Sequence, residues 1–366
     1  MGTLDSIAMT DRAKAKCASL SDCQDISLGH PSFEEIVTLD NLYQAFLCAR
    51  KGKRERLAIN RFELNLGSNL TALYDELTNG SYKPMPCTEF EIWCRSGQKT
   101  RSISAPAFRD TVVQHLLYQN LYNTIDKHLI YDSYGCRRLK GTHKAANRVQ
   151  QFMRQVPSDS YYLQMDVRRY YYNIDHAILR KSLERIIKDE KLVDLMISFA
   201  DNKDGIGLNV GCLLSQVFGA VYLDRFDHYV KRVLKVKHYV RFVDDTCFIL
   251  PSREEAYRVK DACEQYLKDE LHLTLSKWRI QKISRGINYC GFRTWTTHRF
   301  IRKRSLHYFS KQLKRHKLTS LISILGHAMT TSSYRHLLNR TLDELSMEEI
   351  QSLPKRFKED LSSVTR

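Results

Sequence analysis

Two apolar stretches, His238 to Val243 and Thr246 to Leu250, are separated only by Asp244-Asp245. Such runs, broken by one short polar segment, predict a β-hairpin. Apolar residues on both faces of both strands predict that it lies within a core rather than at an edge. Two adjacent carboxylates then sit beside a low-dielectric interior. They repel each other, and each costs several kcal/mol to desolvate unless compensated. Exposure of the turn to water would remove the cost. A divalent cation would also do so, and hard oxygen ligands suit Mg²⁺.

A third carboxylate extends the pattern. Asp166 closes the strand-like run Ser160 to Val167. By itself it reads as a strand-end turn residue. If that strand lies beside the hairpin, Asp166, Asp244 and Asp245 meet at one sheet edge, and such a set can hold two Mg²⁺ ions about 4 Å apart.

Charge bears on the partner. The 366 residues carry 58 Lys plus Arg against 41 Asp plus Glu, a net +17. Residues 1–40 are net acidic, so the remainder is more basic still. A folded body of that charge faces a polyanion. The 43% hydrophobic content excludes a disordered chain. Ten cysteines include no C-x-x-C pair and no Cys/His group at zinc spacing. Cys212, Cys247 and Cys290 lie in apolar runs and read as small buried hydrophobes, which fits a reducing cytoplasm. No charged-then-apolar leader opens the chain, and Val210 to Leu223, its longest apolar stretch, is too short for a bilayer, so no membrane role is expected.

Local patterns suggest the organisation. Residues 1–38 read as a weakly periodic extension. Helices are expected at Leu39 to Leu47, over 55–79 and from Pro106 to about 128. Thr88 to Trp93 and Lys99 to Ile103 read as hairpin partners. Asp175 caps a helix with Ile178, Leu179, Leu183, Ile186 and Ile187 on one face. A glycine-bounded loop, Gly205 to Gly211, feeds a helix from about Leu214 to Lys231. Another helix covers roughly 253–270, and short strands follow to 299. Beyond Arg302 a basic helical region has Leu306, Phe309 and Leu313 at core-facing spacing.

Four segments, in order, resemble reverse transcriptases. Asp166-Val167-Arg168-Arg169-Tyr170-Tyr171-Tyr172-Asn173-Ile174-Asp175-His176 resembles their first catalytic motif, and Phe242-Val243-Asp244-Asp245 their aromatic-x-Asp-Asp box. Gly207-Leu208-Asn209-Val210-Gly211-Cys212-Leu213-Leu214-Ser215-Gln216 resembles the template- and nucleotide-contacting loop, and Gly286-Ile287-Asn288-Tyr289-Cys290-Gly291-Phe292 the primer-grip turn. The resemblance implies an α+β right-hand polymerase: extension 1–39, fingers 40–160, palm 161–298 with an antiparallel sheet, helical thumb 299–345 and tail 346–366. It implies RNA-directed DNA synthesis with two Mg²⁺ ions, Mn²⁺ being a substitute, on Asp166, Asp244 and Asp245, with Val167 in the metal-binding set. The partners would be an RNA template, a DNA or RNA primer and deoxynucleoside triphosphates.

The same resemblance assigns other roles. Lys99, Arg101, Tyr171, Gln216 and Lys277 are expected at the nucleotide, with Tyr171 as the ring that collides with a ribose 2′-hydroxyl and Lys277 near the leaving pyrophosphate. Arg137, Gly211, Ser215, Tyr289, Gly291, Arg302, Lys303, Lys311 and Lys314 are expected at template or primer. Read as residues alone, several have plain structural alternatives: Tyr171 as a core aromatic, Lys99 and Arg101 as an exposed charge pair, Gln216 as a helix-packing side chain, and the basic tail as a solvated face. The Ser215-Gln216 ending, Ser284-Arg285-Gly286-Ile287-Asn288 and Gly326-His327 are most similar to reverse transcriptases of diversity-generating retroelements. Those copy a template RNA with errors at adenines and act with a small basic accessory protein that forms a pentameric barrel. Asn209 departs from that pattern, where Pro is common, as does the acidic extension. Two other readings stand beside this one: an anti-phage defence enzyme with the same chemistry, and a catalytically inert RNA-binding scaffold. No ribonuclease H, maturase zinc or endonuclease motif is expected after the thumb.

Overall fold

The computed structural model describes residues 31–94, 99–200 and 204–364. Most of the expected N-terminal extension lies outside them. The fold is α+β, and the described strands form three sheets. The chain divides into two compact units, each assembled from separated stretches. One takes the described residues up to Leu139 with Asp166–Lys235 and Asp261–Lys277. The other takes Lys140–Met165, Val236–Lys260 and the chain from Trp278.

In the first unit, the helix Leu39–Arg50 buries Leu42, Ala45 and Phe46. The Phe46 ring stacks on Phe62 at 5.9 Å and meets Phe108 edge-on at 6.2 Å. Residues 33–37 join this core. Ile36 and Val37 are buried, and the Phe33 amide donates to Asp189 Oδ2 at 2.7 Å. The extension read from sequence therefore gives way to packed chain before residue 39. Strands β1 (Thr88–Cys94) and β2 (Lys99–Ala105) pair antiparallel, with Phe90 opposite Ile103 and Ile92 opposite Arg101. The long helix Phe108–His128 follows.

His115 on that helix yields a pH prediction. Burial, assisted by the charge of Lys53, pushes its imidazole down to about 4 from its usual 6.5. The unfolded chain then binds the extra proton first, so stability falls as pH drops through 6.5 and levels off near 4. The expected loss is up to about 3 kcal/mol. Denaturant midpoints of the wild type and His115→Gln, compared across that window, should converge at acid pH. Parallel curves would sink the assignment.

The expected helix from Leu214 to Lys231 is broken. The helix Leu213–Tyr222 ends, a short turn of helix spans Asp224–His228, and a widened π turn covers Tyr229–Val233. No proline causes this. The Tyr222 hydroxyl donates to the Leu271 carbonyl at 2.8 Å and accepts the Asp175 amide at 3.3 Å, tertiary contacts that pin the break.

The second unit carries most of a four-stranded sheet of order β4-β5-β3-β6, with β3 at Tyr161–Val167, β4 at Tyr239–Phe242, β5 at Asp245–Leu250 and β6 at Leu275–Lys282. A three-stranded antiparallel meander follows, β7 (Ile287–Tyr289), β8 (Phe292–Thr294) and β9 (Arg299–Ile301). The C-terminal helices bury Phe309, Leu313, Leu321, Leu325, Leu337 and Phe357 in one cluster, with Leu306 packed at its margin. No helix among the described residues is long and apolar enough to cross a membrane.

Candidate active site

The aspartate hairpin forms one residue out of its expected register. Tyr239 pairs with Phe248, and Phe242 pairs with Asp245. The two-residue turn is thus Val243-Asp244, and Asp245 belongs to the ladder. Val243 has φ +59°, a region that β-branched residues rarely occupy. Such strain costs about 1–3 kcal/mol and persists only where the surroundings over-determine it. Here they do. Arg241 is 1% exposed, and its guanidinium donates to the Val243 carbonyl at 2.9 Å. The Tyr289 hydroxyl donates to the Asp245 carbonyl at 3.0 Å. Thr246 Oγ1 donates to the Met165 carbonyl at 3.1 Å, and Gln164 Nε2 to Asp245 Oδ1 at 3.0 Å. Both carboxylates stay half-buried. The buried Arg241 guanidinium carries positive charge beside the turn, so part of the compensation is built into the chain. A charge within an otherwise apolar strand was the available signal for it.

In the other unit, Asp166 lies near the end of β3. Ser276 Oγ donates to Asp166 Oδ2 at 2.5 Å, and Lys277 Nζ stands 3.8 Å from the same oxygen. Lys277 is 80% exposed, so this pair adds little stability. Asp166 and Lys277 are brought together. Ser276 was not anticipated. Gln164 was missed too, although strand alternation puts it on the Asp166 face of β3.

The glycine loop is fixed from three sides. The Leu208 amide donates to the Tyr171 carbonyl at 2.7 Å, the Ser104 amide to the Val210 carbonyl at 2.8 Å, and the Gly207 amide to the Ile174 carbonyl at 2.8 Å. Buried Gln114 caps the following helix, its Oε1 accepting the Leu213 amide at 2.9 Å and the Leu214 amide at 3.3 Å. At Gly211, φ is +125°, and a Cβ would lie 2.8 Å from both the Ser104 carbonyl oxygen and Ile103 Cγ2. Gly211→Ala should cost about 1–3 kcal/mol. It should also displace β2, and the melting temperature should fall with it. An unchanged melting temperature would refute this contact.

Several residues expected at template or primer lie in packed surroundings. Arg137 is buried, and its donors are taken by Asp126 Oδ1 at 2.7 Å, Asp126 Oδ2 at 3.1 Å and the carbonyls of Ile130 and Ser133 at 2.7 and 2.9 Å. A guanidinium so saturated braces its own loop and is not presented to a template. Ser215 is buried with its hydroxyl on the Asn209 carbonyl at 2.7 Å. Tyr289 is fully buried, and burial raises its phenol well above the usual range, keeping it a donor to the hairpin rather than a primer contact. Gly291 forms the β7–β8 turn with Cys290, both at positive φ, and a Cβ there would meet His327 Nε2 at 2.9 Å. Other expected residues keep access to solvent. Arg101, Arg302, Lys303, Lys311 and Lys314 are exposed, while Tyr171 and Gln216 are half-buried. Val167 is buried. The Lys99 side chain lies outside the described residues.

Among the described residues, no three His, Cys, Asp or Glu side chains gather closely enough to hold a metal ion. The carboxylates that are present are hard oxygen donors, the chemistry that Mg²⁺ prefers.

Sequence similarity to known proteins shows the family. A family profile described as reverse transcriptase (RNA-dependent DNA polymerase) matches residues 95–294. The chain is 24% identical over 288 residues to Protein YkfC of Escherichia coli, covering 66% of this chain and 74% of that protein. It is 24% identical over 213 residues to the group II intron-encoded protein LtrA of Lactococcus lactis, covering 55% of this chain and 34% of that protein. A telomerase structure from Candida albicans aligns with a TM-score of 0.48 at 12% identity, over 78% of this chain and 67% of that one. The family match spans more than half of the chain, which therefore belongs to the reverse transcriptase (RNA-dependent DNA polymerase) family.

Proposed function

We propose that this chain copies an RNA template into DNA, with Asp166, Asp244 and Asp245 as the metal-binding carboxylates and Val167 beside them. The observation that carries the reading is the strained Val243-Asp244 turn, held by Arg241, Tyr289 and Gln164 so that two half-buried carboxylates keep one geometry. Gln164 Nε2 meets Asp245 Oδ1, which ties strand β3 to the hairpin that carries both turn carboxylates. These carboxylates would hold divalent metal, Mg²⁺ or Mn²⁺, which would supply Lewis-acid activation of a primer 3′-hydroxyl and charge stabilisation at the leaving pyrophosphate.

The chain's own groups do the rest. Arg101 and Lys99 on β2 bind phosphate oxygens, Arg through paired donors. Lys277 Nζ, exposed beside Asp166, holds the proton passed to pyrophosphate. Tyr171 excludes a 2′-hydroxyl, and Gln216 faces the base or template. Arg302, Lys303, Lys311 and Lys314 track the template–primer backbone, which makes binding fall steeply with salt. In this reading residues 40–160 are fingers, 161–298 palm and 299–345 thumb. The Ser215-Gln216 loop ending favours the error-prone enzyme of a diversity-generating retroelement, working with a small basic accessory protein.

Primer extension by purified protein on poly-adenosine and mixed RNA templates, with cDNA sequencing, tests this. DNA synthesis with errors concentrated at template adenines is expected. Uniformly accurate synthesis would keep the polymerase and move the biological role to defence. Absence of synthesis even with cognate RNA and accessory protein would leave an RNA-binding scaffold.

A further inference from the structure

We propose that Gly219 is a specificity-determining residue, whose missing side chain leaves the floor on which the Tyr171 ring lies and so sets how closely that ring approaches the sugar of an incoming nucleotide. The inference rests on the reading of Tyr171 as the residue that excludes a 2′-hydroxyl. Its geometry stands apart from that reading. A Cβ at Gly219 would fall 3.1 Å from Tyr171 Cε1, 3.1 Å from its hydroxyl oxygen and 3.2 Å from Cζ. Ordinary carbon contacts are about 3.5–4.0 Å. A methyl there must displace something by a few tenths of an ångström.

The backbones on both sides are pinned. The Gly219 carbonyl accepts the Tyr170 hydroxyl at 2.7 Å, and the Tyr171 carbonyl accepts the Leu208 amide at 2.7 Å. The helix Leu213–Tyr222 is buried along most of its length and cannot retreat. The half-buried Tyr171 ring, tilted against the Tyr170 ring at 5.4 Å, is the side chain that gives way, and it moves off the helix. Gln216 stands one turn earlier on the same helix face as Gly219, which places a nucleotide-facing residue beside the displaced ring. Lifting the ring narrows the space at the sugar. Rejection of ribonucleotides then tightens, and deoxynucleotide use weakens through KM more than kcat.

Single-nucleotide extension with dATP and with ATP is measured for the wild type, Gly219→Ala, Tyr171→Ala and the double variant. Tyr171→Ala should raise relative ATP use at least about ten-fold, since it removes the colliding ring. Failure of that variant to do so overturns the gate reading itself. Gly219→Ala should shift the dATP-to-ATP ratio of kcat/KM by about five-fold toward dATP, and the shift should vanish in the double variant. With the Tyr171→Ala effect intact, an unchanged ratio in Gly219→Ala overturns the proposal, as does a shift that survives without the ring. If Gly219→Ala alone does not fold, Tyr171→Phe is compared with Tyr171→Phe/Gly219→Ala, where the ring stays and loss of its hydroxyl removes one of the three close contacts with the methyl. Lower ATP use in the second supports the proposal, and equal use overturns it.

Discussion

Asp244→Ala should lower RNA-templated DNA synthesis by at least about 10³-fold while leaving the fold intact. Asp244 is the second residue of a two-residue turn and is half-buried, so its truncation opens no core cavity. Removing one of two adjacent carboxylates relieves repulsion, and stability should change by less than about 1 kcal/mol in either direction. Asp244→Asn keeps the shape and removes the charge, so it should lose nearly as much activity. Asp245→Ala differs in kind, because Asp245 Oδ1 also accepts the Gln164 amide. It should lose activity and loosen the hairpin. Rates from single-nucleotide extension, read beside thermal melting, separate these effects. Activity of Asp244→Ala within ten-fold of wild type would sink the polymerase assignment.

Arg137→Ala should cost about 3 kcal/mol of stability, near the low end for breaking a buried ion pair because Asp126 keeps partial access to water. The loss has a specific cause. The guanidinium ties Asp126 to the carbonyls of Ile130 and Ser133, and its removal leaves those acceptors without their donor. Cys136 and Leu139, on either side, sit at positive φ, so the loop also loses its restraint on strained backbone. Arg137→Lys should recover little, since an ammonium cannot reproduce the fork. Denaturant unfolding measures the stability loss, and template affinity of the remaining folded protein measures the alternative. Full stability with weakened RNA binding would restore the template-contact role that the residue's place after Tyr134-Gly135-Cys136 suggested.

The contrast between these two sites shows what was legible before the structure. The hairpin around Asp244 and Asp245, the strand ending near Asp166, the β1–β2 pair and the Asp175 cap all come from local patterns. The Asp175 side chain does accept the Ala177 and Ile178 amides at 2.8 and 3.2 Å. The one-residue shift of the aspartate turn was not legible, because no sequence rule puts valine at φ +59°. Tertiary contacts, those of buried Arg241 and Tyr289 among them, make that turn tenable.

Alternation, capping residues and motif order were enough to point to the family of this chain, most of its elements and the carboxylates to examine, since each is written in short local segments. Which polar side chains face a substrate was decided by tertiary structure alone. Arg137 is taken by Asp126, Ser215 by Asn209, and Tyr289 by Asp245, 44 residues before it. A donor's partner depends on what the fold brings beside it, and a polar group sealed from water must bond to whatever it meets there.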